Sequence, residues 1–325
     1  MNSFGSPHNW VPATEQEGRA LKRFFRLLIE ADRKNVSTQK ATSQAVKGTG
    51  LIDKLILRPD CLFAVDEVKL NLKGTLLGLS PKKLKDRKWY LMVGPESLGC
   101  YIKTGFVEPF LVQQVITNPS RFDGLAKYLE FLRQCFGPAF EKKATVQRID
   151  LTVDYQTDLK TLLASLDIQQ KQRGLGYSSD LGTRTGLQVG KGSEVIVVYD
   201  KALLEGEEGP RSRVEVQLKG KKLPIKKLGE IDRLPALIAA AGIGKNIQLG
   251  HATFPEQEIL LTPQQVERRS ELLTLIKHEG LFAARKKLGN SRNFDRDYRI
   301  FLRLMPWERT FQDVLLDGVS RFLAQ

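Results

Sequence analysis

Three stretches of the chain set ionisable groups at strand spacing: RIDLTVDY (148–155), EVIVVYDK (194–201) and RSRVEVQLK (211–219). A strand sends alternate side chains to opposite faces. In the first, Ile149, Leu151 and Val153 oppose Arg148, Asp150, Thr152 and Asp154. In the last, Val214, Val216 and Leu218 oppose Arg213, Glu215, Gln217 and Lys219. In the middle one, Tyr199 and Lys201 fall on the face of Val195 and Val197. Asp150 and Asp154 lie four residues apart, roughly 13 Å along a strand, so both cannot grip one ion on a regular strand. One Asp plus Glu215 from a neighbouring strand makes the better metal pair, and an oxygen-only site of that kind suits Mg²⁺ or Mn²⁺. The plain alternative is that these acids are solvated, as most charges on an outward strand face are. Tyr199 is then a half-buried packing residue, and Arg213 and Lys201 pair with Glu215 and Asp200. No one of the three strands identifies an activity.

The elements that must position these residues follow from the pattern around them. The chain has 325 residues, which at roughly 150 per domain suggests about two domains. Hydrophobic content of 41% with 27% charged residues excludes a chain disordered throughout. No apolar run approaches the ~18 residues of a membrane span, and the first residues lack the order of a signal peptide. Cys61, Cys100 and Cys135 show no paired spacing, against a disulfide framework or zinc ribbon. The expectation is a cytoplasmic protein with no membrane partner. With 51 basic against 37 acidic residues the net charge is +14, which makes nucleic acid the leading partner, although a basic protein without a polyanion ligand accounts for charge alone equally well.

Residues 1–48 read as a loose tail followed by an amphipathic helix, started by Thr14 and Glu17 as a capping box. Residues 49–220 read as an α+β core. Within it 122–136 and 157–172 have helical periodicity, and Gly190 and Gly192 turn a hairpin between TGLQVGK and EVIVVYDK. After Lys219 the strands are expected to stop. Residues 221–325 read as a basic connector and a helical region, in which Thr262-Pro263 starts a helix over 263–278 and short helices follow.

Taken together and in order, R-I-D-L-T-V-D-Y, V-V-Y-D-K and R-V-E-V-Q-L-K resemble the rolling-circle replication initiators of small plasmids, the Rep_trans-type replication initiation factor family, to which filamentous-phage initiators show a related pattern. Gly190, Ser193, Tyr199, Asp200, Lys201, Arg213, Glu215 and Lys219 fit or nearly fit the family's order, over about residues 145–220. The resemblance implies an antiparallel-sheet, HUH-like or ferredoxin-like catalytic core followed by C-terminal helices. It implies a metal-dependent DNA endonuclease and strand transferase that nicks and rejoins an origin through a 5′-phosphotyrosine link. Tyr199 matches the nucleophile, Asp150, Asp154 and Glu215 the metal-holding acids, and Lys201 and Arg213 the basic positions. A phenol with a pKa near 10 needs a nearby cation to become a phenolate, and Lys201, two residues on, is expected to supply it. Origin DNA, single- and double-stranded, is the implied partner, with a host helicase, and family members are often homodimers. The chain departs from the His-pair subclass of such enzymes, since His8, His251 and His278 are far apart in sequence.

Three basic clusters stand out: Lys82 to Lys88, Lys219 to Lys227 with Lys221 and Lys222, and Arg285, Lys286, Lys287, Arg292, Arg296, Arg299 and Arg303. The last lies in a helix–turn–helix-like segment, 280–303, whose second helix would present Arg292, Arg296 and Arg299 to a major groove; an ordinary helical hairpin is the alternative. A non-catalytic DNA-binding regulator or degenerate initiator, and an RNA-binding protein on a ferredoxin-like sheet, are the competing functions. The strands lack the base-stacking aromatic pattern of the latter.

Overall fold

The computed structural model describes residues 46–60, 89–104, 111–169, 174–178, 184–253, 262–288 and 302–325. The amphipathic helix expected before residue 46, the basic run at 82–88 and the second half of the helix–turn–helix, with Arg292, Arg296 and Arg299, lie outside these residues.

The chain is α+β. Its strands are β1 (Gly48–Arg58), β2 (Trp89–Met92), β3 (Tyr101–Thr104), β4 (Val112–Thr117), β5 (Thr145–Tyr155), β6 (Leu166–Ile168), β7 (Gly174–Ser178), β8 (Arg184–Lys191), β9 (Glu194–Asp200), β10 (Ser212–Lys219), β11 (Ile247–Thr253) and β12 (Arg303–Pro306). Its helices are α1 (Leu125–Phe136), α2 (Phe140–Lys143), α3 (Leu159–Ser165), α4 (Lys201–Glu205), α5 (Leu234–Ala241), α6 (Pro263–Glu279), α7 (Leu281–Lys287) and α8 (Phe311–Ala324). Nine strands form one sheet in the order β2-β3-β4-β1-β5-β10-β9-β8-β7, and β12-β11-β6 form a smaller one. The pairings are antiparallel throughout. The β8–β9 hairpin turns at Gly192, whose φ of 82° a residue with a side chain rarely adopts.

The three alternating stretches become neighbours, with β10 between β5 and β9. Ile149, Leu151, Val153, Val214, Val216, Leu218, Ile196 and Val198 are all fully buried or nearly so and belong to one continuous core. The C-terminal helix α8 is part of it. Phe311, Val314, Leu315 and Val319 are buried, and α8 lies against β1, β5, α5 and α1. Its contact with β1 is backbone on backbone: a Cβ on Gly318 would collide with the Gly50 carbonyl oxygen.

Several sequence expectations are corrected. The helix expected over 157–172 ends at Ser165, because Leu166 and Ile168 leave it to pair with Leu249 and Ile247 of β11. Strands do not stop at Lys219, since β11 and β12 follow. Val46–Gln325 form one compact unit. Helices α6 and α7 share a small apolar cluster of Leu272, Ile276, Leu281 and Ala284, and both pack on α3. The capped helix start at Thr262 is present, with Gln265 completing the capping box.

Candidate active site

The face of β5, β10 and β9 opposite the apolar core carries the polar side chains, and register decides which of them meet. Asp154 stands across from Arg213, and Arg213 across from Tyr199. Thr152 stands across from Glu215, and Asp150 across from Gln217. On the other side of β5 the register with β1 slips between Ile52 and Lys54. Such a bulge re-aims side chains. Here it brings two successive residues, Asp53 and Lys54, to ion partners in this polar set.

Two ion clusters result. In one, the Arg213 guanidinium donates from Nε and Nη2 to the two oxygens of Asp154, the latter bond 2.9 Å long, and its Nη1 lies 2.6 Å from Asp53. Arg213 is only 3% exposed. In the other, Arg148 grips fully buried Asp150 through two bonds of 2.6 Å. Lys54 lies 4.0 Å from Asp150, and Arg148 reaches to 3.7 Å from Glu215. Four carboxylates thus face three cations on one face, with Asp150, Asp154, Glu215 and Arg213 buried and Asp53, Lys54 and Arg148 half-buried.

Glu215 joins the clusters. Its Oε1 accepts from the Gln217 amide at 2.6 Å, and its Oε2 accepts from the Tyr199 hydroxyl at 3.3 Å. Burial first, and then the neighbouring Asp150 carboxylate, holds the Glu215 carboxyl above the usual range. Burial also holds the Tyr199 phenol protonated above its ordinary range; Arg213 pulls the other way, while Glu215 and Asp53 add to the effect of burial. The cation beside the phenol is therefore Arg213.

Lys201 does not fill that place, which corrects the sequence expectation. The strand ends at Asp200, whose side chain accepts from the Leu203 amide and caps α4. Lys201 thereby enters a helix and pairs with Glu205 at 2.5 Å. Glu205 is also bound by Arg211 and, at 3.5 Å, by Arg121, so Lys201, itself buried, belongs to the ion network around Glu205.

Asp150, Asp154 and Glu215 share the face, as alternation and pairing led one to expect, but not as one ligand set. Both oxygens of each Asp are taken by an arginine. Among the described residues no group of three His, Cys, Asp or Glu side chains is placed to hold a metal ion. The free oxygen nearby in register is the buried Thr152 hydroxyl, which has no hydrogen-bond partner and is a weak ligand beside a carboxylate. As arranged, the donor set does not fit a divalent ion.

Of the expected DNA contacts, Lys221 is exposed and Lys222 pairs with Glu194 at 3.0 Å. Arg285 instead binds Asp167 of β6, Lys287 binds Glu279, and Lys286 lies 5.9 Å from the centre of the Phe282 ring. The first helix of the expected motif thus spends much of its charge within the fold. Asp53, Lys54 and Arg148 are site residues that strand-by-strand reading left without a role. The sequence does carry a sign of the first two. LIDKLI alternates in pairs rather than singly, the mark of an extra residue in a strand.

No family model and no curated protein sequence matches the chain. Among solved structures, it is similar to a rolling circle replication initiator protein from Geobacillus stearothermophilus, at 14% identity over 66% of this chain and 90% of that chain, with a TM-score of 0.40. No helix among the described residues is long and apolar enough to cross a membrane.

Proposed function

We propose that this chain is a rolling-circle replication initiator that nicks and rejoins DNA through Tyr199. The observation that carries the reading is the Tyr199 hydroxyl, 3.3 Å from the Glu215 carboxylate and flanked by Arg213, on the polar face of the central strands. The order of the sequence motifs and the net charge of +14 support it.

In this reading the Tyr199 oxygen attacks a backbone phosphorus. The new O–P bond replaces the P–O3′ bond, leaving a 5′-phosphotyrosine and a 3′-oxygen that takes up a proton. The phenol proton passes to Glu215, its hydrogen-bond acceptor, and proton transfer to a placed base is worth ~10²–10⁴ in rate. Arg213 holds positive charge beside the phenolate as it forms. Enclosed between Asp53 and Asp154, it positions charge rather than gripping phosphate. The more accessible cations, Arg148 with 20% and Lys54 with 35% of the side chain exposed, are the ones a phosphate can reach. Joining is the reverse attack by a 3′-hydroxyl, and because the phosphotyrosine link conserves the phosphodiester, it needs no nucleotide cofactor. No step is routed through a metal, because the carboxylates are engaged by arginines.

The test is incubation of the intact protein with labelled single-stranded fragments tiled across the replicon that carries its gene, with and without Mg²⁺ or Mn²⁺, followed by a denaturing gel. A covalent adduct that Tyr199→Phe abolishes is the expected result. Retained duplex binding without an adduct on any fragment would replace this reading with a non-catalytic DNA-binding regulator.

A further inference from the structure

The end of the large sheet remote from Tyr199 gathers lysines from four separate parts of the sequence. Backbone bonds place them there. Val146 donates to the Lys226 carbonyl at 2.9 Å and Leu228 to the Ala144 carbonyl at 3.0 Å, so the 226–228 segment runs beside the start of β5 and the end of α2. The Lys226 ammonium donates to the Gly220 carbonyl at 2.7 Å. Lys219 donates from its amide to the Ser193 carbonyl at 2.8 Å, which ties the end of β10 to the β8–β9 turn. Lys142, Lys143, Lys191, Lys219 and Lys221 are all exposed, and no carboxylate among the described residues pairs with any of them. The acids at this end are occupied: Glu194 by Lys222 at 3.0 Å, Glu141 by Arg133, and Glu230 by the amides of Lys226 and Lys227.

Five unpaired lysines at one end of a rigid sheet repel one another, and a polyanion relieves that repulsion. The distance from the nucleophile is set by the strand. Tyr199 stands across from Arg213, and Lys219 lies six residues further along β10. At ~3.3 Å per residue the separation is about 20 Å, which at ~3.4 Å per step spans about six base pairs.

We propose that this basic end binds the sugar–phosphate backbone of duplex DNA flanking the nick, about six base pairs from the phosphate that Tyr199 attacks. The position relative to the nick rests on the initiator reading; the binding surface does not. Phosphate contacts of this sort set register on the duplex without reading sequence, so the surface orients the DNA while other parts of the chain select it.

The experiment measures affinity of the full chain for a labelled 30-base-pair duplex over a range of salt, comparing wild type with Lys142→Ala/Lys143→Ala and Lys219→Ala/Lys221→Ala. All four positions are exposed, so the variants should fold, and an unchanged circular dichroism melt verifies it. Each pair should lower the slope of log K against log salt by about 1.8, at ~0.9 per phosphate contact on duplex DNA. Unchanged slopes overturn the surface, and a larger loss on a single strand or on RNA than on the duplex overturns the choice of partner. A second measurement places neutral methylphosphonates singly along an origin duplex. Loss of binding at about six base pairs from the mapped nick is expected, and loss elsewhere overturns the spacing. If salt slopes fall as expected but no fragment forms an adduct, the initiator reading and the spacing fail together while the surface stands.

Discussion

Replacing Arg213 by Met separates what the arginine does for the fold from what it does for chemistry. The guanidinium is 3% exposed and neutralises two carboxylates at once, Asp154 through paired bonds and Asp53 at 2.6 Å. Met fills much of the same volume but leaves buried Asp154 and half-buried Asp53 without this cation. Removing one partner of a buried pair typically destabilises by about 3–5 kcal/mol. At about 2–4 °C per kcal/mol for a sizeable domain, Tm should fall by roughly 6–20 °C. Thermal melts of the full chain at neutral pH measure the loss. Adding Asp53→Asn and Asp154→Asn to Arg213→Met should recover most of the loss at neutral pH, since no charge is then left unpaired. A Tm within 2 °C of wild type for the single variant, or a triple variant no better than the single, would refute the clamp. In either case the nicking rate of an Arg213 variant is interpretable only beside its melt.

Lys201→Ala should keep adduct formation within a factor of about three, well short of the tenfold that ~1.4 kcal/mol makes, because Lys201 pairs with Glu205; a hundredfold loss in a folded variant would return it to the site. Arg148→Gln releases both oxygens of Asp150 and removes the cation nearest Glu215. Mn²⁺ binding to the intact chain, read by electron paramagnetic resonance, should therefore tighten by on the order of tenfold, about 1.4 kcal/mol of relieved charge repulsion; equal binding by both proteins would place any ion on other ligands. Gly318→Ala in α8 should gain up to ~1 kcal/mol from helix propensity if the position were open. The predicted result is instead a net loss of about 1–3 kcal/mol, because the added carbon collides with the Gly50 backbone; a stabilised variant in a urea titration would mean that α8 does not cross β1 there.

How far the site could be read from the sequence follows from what alternation does and does not encode. Period two assigns each residue of RIDLTVDY and RVEVQLK to a face, and every one of those assignments stands, because burial of Ile149, Leu151, Val153, Val214, Val216 and Leu218 fixes the register against a one-residue slip. Local propensity also gave the hairpin at Gly192 and the capped start of α6. It failed at Leu166–Ile168, where a short apolar run fits either a helix or a strand and pairing with β11 decides. It failed at Lys201 for a related reason. Counting by two carries the strand through position 201, but Asp200 is a good N-cap and its bond to the Leu203 amide is worth more than one further strand residue.

The identity of each group's partner is a different kind of fact. Asp150 and Asp154 belong to one face of one strand, yet each is claimed by a different arginine, one two residues away and one 59 residues away. Nothing in the spacing of the two acids distinguishes that from a shared ion. The choice depends on β1, whose bulge brings Asp53 to Arg213 and Lys54 to within 4.0 Å of Asp150. With Asp53 opposite it, Arg213 is held from both sides beside Tyr199 and cannot swing toward Glu215, and the carboxylate left to accept the phenol's hydrogen bond is Glu215. A regular β1 would take one of these two side chains off the polar face and leave Arg213 or Asp150 with one partner fewer. The single extra residue in LIDKLI therefore determines which carboxylate meets the tyrosine, and it does so from a strand that carries none of the motif residues.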